Sequence, residues 1–69
     1  MKMKMVKLDT NVFPLGRTEL FVSPGGHLKG NFIWGSELAE VLESRGEWIR
    51  VGVDEGSGWI PATQVKPLG

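Results

Sequence analysis

Sixty-nine residues suffice for one domain, 1–69, whose core is small because a chain of this size buries only about 60% of its unfolded surface. Cysteine is absent and His27 is the single histidine, which excludes disulfide staples and cysteine-based zinc sites and argues against metal ligation, histidine catalysis or a bound cofactor. Eight basic and eight acidic residues cancel, and that balance argues against a general nucleic-acid binder.

In chain order, Met1, Met3 and Met5 alternate with Lys2 and Lys4. That period of two predicts an N-terminal strand reaching to about Val12. Lys2, Lys4 and Lys7 make its other face basic, the pattern of a solvated strand face. No apolar run is long enough to span a membrane, and Asp9 interrupts the region before a signal-peptide core forms. "TELFV" (Thr18–Val22) predicts a second strand. "SPGGHLKGN" (Ser23–Asn31) has the proline and glycines of a loop. "FIW" (Phe32–Trp34) is a short apolar run that stops at Gly35.

The segment Ser36–Gly46 reads two ways. Leu38, Val41 and Leu42 have helical spacing, with Ser36 as N-cap and Gly46 as stop, which taken alone predicts one or two helical turns. Hairpin material follows at once, however. "EWIRVGV" (Glu47–Val53) places Ile49, Val51 and Val53 on one face and Trp48 and Arg50 on the other. "DEGSG" predicts a hairpin turn, "GWIPA" a returning strand that stops at Pro61, "ATQV" a 3₁₀ turn and "VKPL" a last edge strand. Short strands punctuated by glycine and proline predict an all-β fold, a small barrel or sandwich.

From Gly35 to Leu68 the order of landmarks resembles the SH3-type barrels. An apolar strand ends in "VLE", "GEWIRV" follows, then a Gly-rich turn, "GWIP", and a final apolar residue before a short strand. "LFVSPGG" is more loosely similar to the corresponding strand and loop of bacterial SH3 domains. The resemblance implies five or six short antiparallel strands and makes Ser36–Gly46 a strand. That strand then needs a bulge, or a register that points Ala39 and Val41 inward. The N-terminal dozen residues lie outside the family's minimal pattern and would add a strand or dock on a partner.

The resemblance also implies a site. Trp48 matches the family's groove tryptophan and Pro61 the groove proline, the pair that holds extended ligands. Phe21 is the aromatic residue in the strand that elsewhere supplies tyrosines, and Gln64 stands where a tyrosine is expected. Trp34 could complete an aromatic patch with Trp48 or cover the N-terminal strand, and Trp59 closes the barrel edge. Ser23, Ser36, Ser44, Ser57, Asp54 and Glu55 fall in turn or cap contexts and form no catalytic array.

The resulting expectation is a noncatalytic binding module for a peptide, a partner protein or a cell-wall peptide. Two alternatives belong to other classes. One is a structural subunit forming a homo-oligomer through the N-terminal strand. The other is a nucleic-acid-binding barrel using Lys2, Lys4 and Lys7. A native start at Met1 would imply a cytoplasmic protein, and excision from an exported protein would imply the cell envelope.

Overall fold

The computed structural model describes residues 4–9 and 16–67. Within them lie seven strands: β1 (Met5–Leu8), β2 (Arg17–Phe21), β3 (Leu28–Trp34), β4 (Ala39–Arg45), β5 (Trp48–Val53), β6 (Gly56–Pro61) and β7 (Val65–Pro67). The one helical element among the described residues is a 3₁₀ turn at Ala62–Gln64. The strands form one antiparallel sheet in the order β3-β2-β6-β5-β4-β1-β7, curled into a half-barrel. No helix of the described residues is long and apolar enough to cross a membrane.

The interior is aliphatic apart from Asn31, a buried amide that donates to the Ser57 carbonyl at 3.1 Å. Val6, Leu8, Leu20, Ile33, Ala39, Ile49, Val51, Ile60 and Val65 form its buried cluster, so each of the seven strands contributes at least one residue. Period-two alternation carries this, because residues i and i+2 share one face of a strand. Val41 and Val53 pack against the cluster from β4 and β5. Between β2 and β6 the sheets of side chains meet at Gly58, where an added Cβ would lie 2.5 Å from the Leu20 Cβ. A glycine there lets Leu20 fill the space over β6.

The turns set where the strands start. Ser23-Pro24-Gly25-Gly26 is a type II turn: Pro24 precedes Gly25 at φ 71, and the Gly26 N–H donates to the Ser23 carbonyl at 2.9 Å. Gly46, at φ 60, takes the first position of the two-residue loop between the cross-strand partners Arg45 and Trp48. That tight reversal fixes Trp48 as the first residue of β5.

Two expectations need correction, and one two-way reading is resolved. Ser36–Gly46 holds the strand that the resemblance implied, not the helix its spacing alone suggests, because Ala39 and Val41 then face the core while backbone groups pair with β1 and β5. The helical spacing of Leu38, Val41 and Leu42 is spurious: Leu38 and Leu42 are 56% and 42% exposed. A register shift between Val41 and Glu43 makes Leu42 the bulged residue, covering Gly52. The loop expected over Ser23–Asn31 ends early, since Leu28–Asn31 already belong to β3. Gly30, at φ 95, lies within the irregularity of β3 that lets Phe21 pair with Leu28. The strand count is seven among the described residues, above the five or six expected.

Of the N-terminal strand expected over Met1–Val12, β1 covers Met5–Leu8, while residues 1–3 and 10–12 lie outside the described residues. β1 is an inner strand, paired with β4 on one side and β7 on the other. The sheet ends at β3 and β7.

Candidate functional site

The outer face of the sheet carries the aromatic side chains. Alternation that sends Leu20, Ile49, Val51 and Ile60 inward sends Phe21, Trp48, Arg50 and Trp59 outward. The register then assembles them. Trp48 pairs with Pro61 and Arg50 with Trp59 across β5 and β6, while Phe21 pairs with Trp59 across β2 and β6. The Phe21 and Trp48 rings meet edge-to-face, with centroids 5.2 Å apart and planes at 85°. That geometry sets the positive edge of one ring against the negative face of the other.

Trp48, Phe21 and Pro61 are each half-buried, so they offer ring and pyrrolidine surface to solvent. Trp59 is only 6% exposed and forms the floor. The Arg45 guanidinium lies 5.3 Å from its ring centroid, a cation on a π face. Arg45 and Arg50 both reach the Glu43 carboxylate, at 3.0 and 3.3 Å. One acid thereby holds two cations along the β4 side of the cluster. These are half-exposed pairs that organise the rim more than they stabilise the fold.

Of the residues singled out from sequence, Trp48, Pro61 and Phe21 come together. Trp34 does not join them. It lies on β3, 44% exposed, beside Phe32 with ring centroids 6.2 Å apart. Gln64 is half-buried in the 3₁₀ turn, where its backbone carbonyl accepts the Asp9 N–H at 2.9 Å. The turn also closes back on the β4–β5 hairpin, through the Ala62 N–H to the Glu47 carbonyl at 2.9 Å. These bonds fix Pro61 opposite Trp48.

Sequence reasoning missed two features. Arg17 stacks on Phe32 and Trp34, at 4.9 and 5.4 Å from the ring centroids. Glu37 is a clamp: its carboxylate accepts the Trp34 N–H at 3.2 Å and the Asp54 N–H at 2.7 Å, joining the turn after β3 to the β5–β6 turn. Neither has a local signature, because each depends on strand register or on a contact between distant turns.

On the inner side, an apolar cleft of about 110 Å³ opens between Val6, Val41, Ile49 and Val65. It is small beside the clefts of hundreds of Å³ that hold drug-sized ligands. Among the described residues no group of three His, Asp or Glu side chains is placed to hold a metal ion. Comparison with protein-family models, with curated proteins and with solved structures gave no match.

Proposed function

We propose that this chain is a noncatalytic binding module of the bacterial SH3 type, which grips an extended peptide or a segment of a partner protein across its outer aromatic face. One observation carries the reading: four of the five described aromatic residues, Phe21, Phe32, Trp34 and Trp48, keep ring surface in solvent on the outer face, and only Trp59 among the five is buried. Large rings are strong core formers, so four described rings that keep surface in solvent on one face, with Trp59 buried beneath them, form an apolar surface suited to contact. The landmarks "GEWIRV" and "GWIPATQV" support the family. The adjacency of Trp48, Pro61 and Phe21 supports the groove.

Rings and a proline lined up across neighbouring strands of one sheet suit a ligand that is already extended, such as a polyproline-II or β-like segment. Such a ligand loses little entropy on docking. An NMR titration of the tryptophan indole N–H signals with proline-containing peptides and with muropeptides tests this. The reading predicts movement of Trp48 with one of these classes and a nearly fixed Trp59. Indole signals that stay still with every peptide and muropeptide would refute it.

A further inference from the structure

Arg17 is held in an unusual way. It opens β2 and is exposed, and its cross-strand partner on β3 is Trp34, with Phe32 opposite Glu19. Its guanidinium therefore rests on two rings, 4.9 Å from the Phe32 centroid and 5.4 Å from the Trp34 centroid. The ion pairs among the described residues are Arg45–Glu43, Arg50–Glu43 and Lys66–Asp9, and Arg17 takes part in none. Two acids lie nearby. Glu19 shares the face two residues along but forms no ion pair with Arg17, and the Glu37 carboxylate is engaged by the Trp34 and Asp54 N–H groups. A planar cation laid against rings, with no carboxylate on its N–H fork among the described residues, is preorganised for one.

We propose that the Arg17–Phe32–Trp34 shelf is a second subsite of the outer face, and that it takes a side-chain carboxylate of an acidic peptide whose apolar residue sits on Phe21, Trp48 and Pro61. The inference rests on the reading of this face as a peptide-binding surface and adds the charge of the ligand. Arg17 and Phe21 are the two ends of β2 and face the same way. Their separation along the strand is roughly 13 Å at about 3.3 Å per residue. A ligand running along β2 in extended form therefore carries its Asp or Glu about four residues from its apolar anchor.

Selection of displayed random dodecapeptides on the wild-type protein, on Arg17→Gln and on Trp34→Ala tests the inference. Wild-type protein should enrich peptides with an acid at that fixed distance from a proline or large apolar residue. An enriched peptide should bind about fivefold tighter than its Asn/Gln counterpart, the scale of one exposed charge-assisted pair, and less so at high salt. Arg17→Gln should erase that preference, so that the acidic peptide and its Asn/Gln counterpart bind alike. Trp34→Ala, which keeps the cation but removes part of its shelf, should weaken the preference. Enrichment of anchors without acids, or an acid preference that survives Arg17→Gln, overturns the inference and leaves the binding reading intact. No enrichment at all, or indole shifts of Trp34 and Trp48 only with an oligothymidylate, overturns both.

Discussion

The two faces of this sheet are built from different chemistry. The inner face is Val, Leu, Ile and Ala, one or more from each strand, with five side chains (Leu8, Leu20, Ile33, Val51 and Ile60) essentially sealed from solvent. The outer face is rings and cations: Phe21 against Trp48, Arg17 over Phe32 and Trp34, Arg45 over Trp59. The contrast separates two jobs. Branched aliphatic side chains have few rotamers and fill a narrow barrel, so they specify the fold. The rings that keep surface in solvent contribute less to folding and form the proposed contact surface, with Trp59 buried beneath them.

Substitutions on the two faces should therefore differ in kind. The largest loss of stability belongs inside. Leu20→Ala removes a fully buried side chain and should cost about 2–5 kcal/mol by urea unfolding, enough to leave so small a domain largely unfolded. Gly58→Ala drives a methyl group into the same leucine and should cost about 1–3 kcal/mol, with Leu20→Val partly rescuing it. Glu37→Gln keeps one oxygen as an acceptor but withdraws charge from the clamp between two turns. It should cost about 1 kcal/mol and speed hydrogen exchange at the Asp54 amide. Smallest is Arg50→Met, which breaks one half-exposed pair with Glu43 and should change stability by less than about 1 kcal/mol.

The inner face was the more legible in the sequence. Ile49, Val51 and Val53 announce their strand by strict alternation, and β5 forms as that pattern predicts. Leu38, Val41 and Leu42 mislead, because only Val41 packs on the core, while Leu38 precedes the strand and Leu42 is the exposed residue of a bulge. Leu28–Asn31 looked like loop because a glycine-containing irregularity interrupts β3. On the outer face, Trp48, Pro61 and Phe21 could be singled out through resemblance to a family pattern, and they do lie together. For Trp34 the sequence left open a patch with Trp48 or a cover over the N-terminal strand; it instead pairs with Arg17, which only the β2–β3 register decides. The Glu37 clamp spans 17 residues of sequence and no local pattern encodes it.

The most direct test of the division between the faces is Trp48→Ala, unfolded in urea beside Leu20→Ala and carried through the same peptide selection as the wild type. The account predicts a variant that stays folded, loses clearly less stability than Leu20→Ala, and enriches no peptide. A stability loss as large as that of Leu20→Ala, or an unchanged set of enriched peptides, would contradict it.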